Sequence, residues 1–257
     1  LQIADQMTDY LMNGAITNAL NMVSVSAEEA PILRPYMTLG RLLGGFLGQV
    51  QADGATRIVI ELDGKAATLS PEPVVAATLA GLLGPFMESV NMVNAAAVAS
   101  SNGIAVSTIR HDRQCDYETL LRVTISHKNG ERTIAGTLVG GNKPRIIEVQ
   151  HIAVESDFPP YLLYLRNYDK PGFIGDLGSL CSKHGINIAT FHLGRPTQWR
   201  AAPTSQLDEP AHAAEPDRLC PKKSGAEGIE ARRQPWRRRL CLLCLCPCPC
   251  PCHPCLW

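Results

Sequence analysis

The sequence predicts an α+β protein, and three observations carry that reading. Leu39, Leu42, Leu43, Phe46, Leu47 and Val50 form an apolar stripe at helical spacing. Downstream of it lies a series of segments with period-2 alternation, two of them joined through Asn129-Gly130 as a tight antiparallel hairpin. A strand–helix–strand pattern then fills residues 161–193.

In chain order, Ile3, Met7, Tyr10 and Leu11 fall on one face of an opening helix that Gly14 would stop. Ser26 and Glu29 have capping-box spacing, so a helix can start there; a solvated acidic turn explains the same residues. After the stripe, Ile58, Ile60 and Leu62 alternate with Arg57, Val59 and Glu61, a strand with one buried face. Pro71 and Pro73 lead into the apolar helix VVAATLAGLLGPF, and a small-residue helix, VNMVNAAAVASSNG, ends at Gly103. IAVSTIR, YETLLRVTISH, ERTIAGTLV and RIIEVQ read as four further strands. Together these predict one domain over 35–152, with helices followed by an antiparallel sheet. Prolines near 158–160 mark a boundary. Beyond it come a strand at Tyr161–Tyr168, a helix at Phe173–His184 and a strand at Ile186–Leu193. Gly185 is the expected left-handed stop, and Ile174, Leu177, Leu180 and Cys181 form the expected buried stripe.

Charge and composition narrow the function. Lys+Arg and Asp+Glu number 24 each, so no bulk field points to nucleic acid or to a membrane surface. No apolar run is long enough to span a bilayer. Before Gly194 the only cysteines are Cys115 and Cys181, as expected of a reduced, cytoplasmic protein. From Gly194 onward the composition changes: ten of the 19 prolines, eight of the ten cysteines and all three tryptophans lie there. Two kinds of sequence are joined near that residue. The missing initiator Met suggests that the chain begins inside a longer protein.

The turn NYDKPG holds the most chemistry. Pro171 fixes φ, Gly172 admits close backbone approach, and Asp169 can cap the helix that follows. Free N–H groups behind Gly172 can receive a carboxylate, and Asn187, opening the next strand, adds a donor and an acceptor. Such a set suits an α-amino acid, although a capped helix and a polar strand start account for the same residues. In GGNKPRI, Gly140 and Gly141 free a turn while Lys143 and Arg145 flank Pro144; this is either an anion cradle or a solvated hairpin. His111, Asp112 and Arg113 have no nucleophile at useful spacing and read as a polar loop.

YLRNYDKPGFIGDLGSLCSKHGINIATFHLGR resembles the first half of an ACT domain, a ferredoxin-like βαββαβ module that binds amino acids. GAITNALNMVSVSAEEAP, SVNMVNAAAVASSNGI and AGTLVGGNKPRI resemble, in the same order, the return segment and intervening (allosteric substrate-binding) domain of bacterial long-form D-3-phosphoglycerate dehydrogenases. The resemblance covers about 1–195 and none of the tail. It implies four regions: the last helix of a nucleotide-binding domain with its return segment (1–34), the intervening domain (35–152), a partial ACT domain (158–195) and a tail (196–257). It implies that Asn167, Asp169 and Asn187, with Gly172, would hold L-serine as feedback inhibitor between paired ACT domains of a homo-oligomeric parent. It also implies an anionic small molecule as a candidate ligand of Lys143 and Arg145. The parent would use NAD. This chain has no Gly-rich dinucleotide fingerprint and none of the family's catalytic residues, so we expect no cofactor, metal or hydride transfer in it.

An ACT module needs two more strands and a second helix after Arg195. The sequence instead supplies Pro, Ala and charges, which bury too little apolar surface to order a chain. A frame change near Arg195 is the expected cause, leaving 196–257 as an aberrant, disordered Cys/Pro-rich tail. The run CLLCLCPCPCPCHPC offers Cys241/Cys244 and Cys252/Cys255 at zinc-ligand spacing, but alternating Cys-Pro is stiff and extended and points ligands apart. Two further classes of function remain open on sequence: a stand-alone amino-acid-binding regulator and a Cys-rich metal-binding protein.

Overall fold

The computed structural model describes residues 2–13, 25–50, 54–87, 89–111, 116–128, 130–168, 172–194 and 238–246. The opening helix is α1 (Gln2–Asn13). Its apolar face forms as predicted, but no described residue covers it: Ile3 and Leu11 are each 74% exposed.

The stripe at 39–50 belongs to a longer helix, α2 (Ala30–Val50). A reciprocal capping box heads it. The Glu29 N–H donates to Ser26 Oγ at 3.2 Å, and the Ser26 N–H donates to Glu29 Oε2 at 3.3 Å. Strand β1 (Arg57–Gly64) and a single 3₁₀ turn (Lys65–Thr68) lead to α3 (Pro71–Leu83) and the short α4 (Ala95–Ser101). Then come β2 (Ala105–His111), β3 (Thr119–His127), β4 (Gly130–Val139), β5 (Lys143–Val149) and β6 (Ile152–Asp157). These six strands form one sheet in the order β2-β1-β3-β4-β5-β6.

Two expectations are corrected here. The sheet is mixed, because β1 and β2 run parallel. Helices α3 and α4 lie between those two strands in sequence, and a helical crossover returns the chain in its original direction. Strand β6 also lies between the predicted end of the first domain at 152 and the prolines near 158–160, where the sequence predicted no strand. Its residues Ile152–Asp157 are mostly polar or small, so no apolar alternation announces it.

The core sits between the sheet and the α2/α3 layer. Leu39, Leu43 and Leu47 of α2 are buried with Ile58, Ile60, Leu121, Val123, Ile125 and Ile134 of the sheet. Gly136, beside a β-bulge in β4, lets α2 seat closely, since a Cβ there would lie 2.9 Å from Leu39 Cδ1. The opposite sheet face is mixed: Leu120, Ala135 and Ile147 form a small apolar cluster beside polar residues. In one cross-strand row, Arg122 donates to Glu148 Oε2 at 3.2 Å and lies 3.9 Å from Glu61.

The second unit comprises β7 (Leu162–Tyr168), α5 (Phe173–Lys183), β8 (Asn187–Gly194) and β9 (Arg238–Cys246). Strand β9 lies between β7 and β8 and is antiparallel to both. The crossover pair β7–α5–β8 is therefore split by one inserted strand. This corrects the expectation of a tail without ordered structure, at Arg238–Cys246. Two parallel strands set one strand-width apart leave facing rows of N–H and C=O groups, and a third strand satisfies both rows. Residues 196–237 and 247–257, with most of the Cys/Pro run, lie outside the described residues, as do Gly14 and Asn129.

The second unit is docked on the first. Tyr164 of β7 meets Phe46 of α2 edge-to-face, with ring centroids 5.4 Å apart. Gly194, ending β8, lies so close to β6 that a Cβ would approach Ile152 Cγ2 to 2.6 Å. The predicted stripe on α5 is corrected. Cys181 is buried, but Ile174 is 52% exposed and Leu180 43% exposed, because the three-stranded sheet covers only part of the helix.

Candidate functional site

Gly172 is the N-cap of α5 with φ 97°, a left-handed conformation that suits glycine. Its carbonyl accepts from the Asp176 N–H at 3.0 Å. Asp169 and Pro171 lie outside the described residues. Asn167, the penultimate residue of β7, is half-buried and faces Arg239 of β9 in register.

Asn187 is not beside this turn. It opens β8, opposite Cys246 of β9. Arg239 and Cys246 are seven positions apart, so Asn167 and Asn187 are separated by about 23 Å along the sheet. Helix α5 carries the chain about 16 Å from Gly172 to the far end before β8 begins. The expectation that Asn187 joins the turn within one copy is therefore corrected. Asn187 instead helps line a shallow cavity of about 390 Å³ with Gly178, Cys181, Ser182 and Gly185, at the C-terminal end of α5.

In the GGNKPRI hairpin, Gly140 and Gly141 take φ of 60° and 79°. Lys143 is exposed. Arg145 is turned sideways along the sheet: its Nε and Nη2 both donate to Asp157 Oδ1 at 3.1 Å. The two cations therefore do not converge on the glycine turn. His111 ends β2, and Asp112 and Arg113 lie outside the described residues.

Two features escaped the sequence reading. One is the row of Glu61, Arg122 and Glu148, whose shared sheet face is readable from alternation once the strand register is known. Among the described residues, Glu148 Oε1 has no hydrogen-bond donor, although His151 Nδ1 stands 3.5 Å away. The other is the contact between Phe46 and Tyr164, which has no local signal. Among the described residues the buried Tyr164 hydroxyl has no hydrogen-bond partner, and burial pushes its pKa above the ordinary value of about 10.

Comparison with known proteins fits this architecture. The family model "D-3-phosphoglycerate dehydrogenase intervening domain" matches residues 32–150. The chain is 30% identical over 232 residues to D-3-phosphoglycerate dehydrogenase of Synechocystis sp., covering 89% of this chain and 41% of that protein. It is 33% identical over 198 residues to the Archaeoglobus fulgidus enzyme and 26% identical over 197 residues to that of Bacillus subtilis. Those two matches cover 75% and 76% of this chain and 37% of each relative, so the chain spans well under half the length of the relatives it matches. Residues 1–195 make up about three quarters of the chain, so the 89% match must run past Arg195. This corrects the expectation that the likeness stops at the tail. Residues 32–150 thus match the D-3-phosphoglycerate dehydrogenase intervening domain, and the chain is similar over three quarters or more of its length to D-3-phosphoglycerate dehydrogenases.

Proposed function

We propose that this chain is the regulatory C-terminal portion of a D-3-phosphoglycerate dehydrogenase, an oxidoreductase that uses NAD in the first step of L-serine synthesis. The observation that supports the reading is a match to the intervening-domain model followed directly by a split βαβ unit. The residues present do not fit NAD. Among those described, the strand β1 leads through Gly64 into a single 3₁₀ turn, not through a glycine-rich turn into a helix N-terminus. No hydride-transfer step is assigned to them.

In this reading the second unit binds L-serine. The turn at Asn167, Asp169 and Gly172 would take one end of the ligand and Asn187 the other. Because Asn167 and Asn187 sit at opposite ends of one sheet, a complete site needs two ACT units side by side in opposite directions, each giving a half-site to the other. An anionic small molecule at Lys143 and Arg145 would have to displace Asp157. That pair is solvent-exposed and so costs little to break.

Calorimetric titration tests the reading. L-serine should bind this chain weakly, since the sequence after Arg195 carries no amphipathic pattern for the module's second helix, and Asn187→Ala should abolish what binding there is. Tight binding that survives Asn187→Ala would overturn the site assignment. NADH formation from 3-phosphoglycerate and NAD by the chain alone would overturn the regulatory reading.

A further inference from the structure

The six-stranded sheet has two edges, and they differ. At the β6 edge, Gly194 of β8 lies against Ile152, Ala153 and Val154. At the other edge, β2 pairs with β1 over seven consecutive residues without a bulge, and no described strand pairs with its far side. The Ala105 N–H donates to Thr56 O of the preceding segment. In a parallel ladder this direction alternates, so Ala105, Ser107, Ile109 and His111 face β1 with their N–H and C=O groups. Val106, Thr108 and Arg110 turn theirs outward. Protected edges carry Pro, Lys, a bulge or a cover. Strand β2 has no Pro, Lys or bulge, and Val106 and Ile109 are 37% and 39% exposed.

We infer that the β2 edge is a self-association surface, on which β2 of a second copy of this chain pairs antiparallel about a two-fold axis through Thr108. The chemistry of the edge selects that partner. Five of its seven residues, Ala105–Ile109, are uncharged, and four of those five are β-branched or hydroxylic, so the best-matched strand is an equally neutral one. Strand β2 is such a strand.

Direction follows from charge. Parallel in-register pairing would set Arg110 against Arg110. The antiparallel arrangement sets each Arg110 against Val106 of the other copy. The two guanidinium-bearing positions then lie about 13 Å apart along the strands, beyond the screening length of roughly 8–10 Å at physiological salt. Thr108 meets its own mate, and the outward-facing residues exchange about six backbone hydrogen bonds. With the β6 edge overlain by β8, this sheet offers one open edge among the described residues. Pairing through this sheet therefore stops at two copies.

Sedimentation of the full 257-residue chain, combined with amide hydrogen exchange across a concentration series, tests the inference. The mass should rise from 27.9 kDa toward twice that value as concentration increases. Over the same range, exchange at Val106, Thr108 and Arg110 should slow about tenfold. Thr108→Pro removes an outward N–H while leaving the ladder to β1 intact, and it should weaken the dimer at least tenfold. A chain that stays monomeric, or one that dimerises with no slowing at those three amides, would overturn the proposal. If Thr108→Pro does not fold, the exchange series on the unaltered chain still decides the question.

Discussion

Gly44 and Gly45 are neighbours on α2, and replacing each with Ala should move stability in opposite directions. A Cβ on Gly44 would press into the Thr78 carbonyl oxygen and stand 3.0 Å from the Leu82 nitrogen. Both are backbone atoms of α3, so no side chain can swing aside. The helices would have to move apart, loosening Leu43 and Leu47 against Leu79 and Leu82 in the core. Overpacking of this kind costs roughly 1–3 kcal/mol and occasionally more, and a rigid backbone obstacle puts Gly44 at the upper end. Against that stands a gain of about 1 kcal/mol from exchanging Gly for Ala inside a helix. The net expectation for Gly44→Ala is a loss of about 2 kcal/mol. A Cβ on Gly45 would meet only Gly81 O, at 3.8 Å, an ordinary contact. Gly45→Ala should therefore keep the propensity term alone and stabilise by up to about 1 kcal/mol. Urea unfolding followed by far-UV circular dichroism measures both, with an unchanged slope as the check that only stability moved. A neutral or stabilising Gly44→Ala, or two variants shifting in the same direction, would refute the close-packed α2/α3 interface.

Tyr164→Phe should be neutral or stabilising, up to about 1–3 kcal/mol, because it deletes a buried hydroxyl that has no partner among the described residues. The same variant has a pH signature. Burial raises the folded-state pKa above the ordinary value of about 10, so the Tyr164 contribution is intact below pH 10 and is lost as pH rises toward the folded value. The Phe variant should lose less stability in that alkaline window, and chemical denaturation at stepped pH reads the difference. Gln150 and His151 turn the β5–β6 hairpin with φ of 52° and 60°. His151→Gly should relieve roughly 1 kcal/mol of left-handed strain, raising the urea midpoint; a lower midpoint would show that His151 contributes more through Glu148 than it costs in the turn.

Elements with strong local periodicity were legible in the sequence, and those defined by distant pairing were not. The Leu39–Val50 stripe, the alternation in β1 and the Ser26/Glu29 capping box all act within a few residues, and each is where it was expected. Strand β6 and the parallel pairing of β2 depend on which surface the chain returns to. Composition at Ile152–Asp157 says nothing of that. The same holds for β9. Its sequence reads as low-complexity, yet the open gap between β7 and β8 gives nine consecutive residues a place to satisfy their backbone groups.

The candidate site shows a sharper limit, because the residue types were readable and their juxtaposition was not. Asp169 and Asn187 are 18 positions apart, a spacing that looks like proximity when the helix between them is ignored. In a strand–helix–strand crossover the two strands run the same way. The end of the first and the start of the second therefore lie at opposite ends of the sheet. Asn167 near the end of β7 and Asn187 at the start of β8 are consequently held apart by the full length of β9, Arg239 to Cys246. Any small ligand that uses both kinds of residue must draw them from two copies. In the proposed serine site the crossover would therefore make binding depend on association, a property of chain direction that no list of polar residues contains.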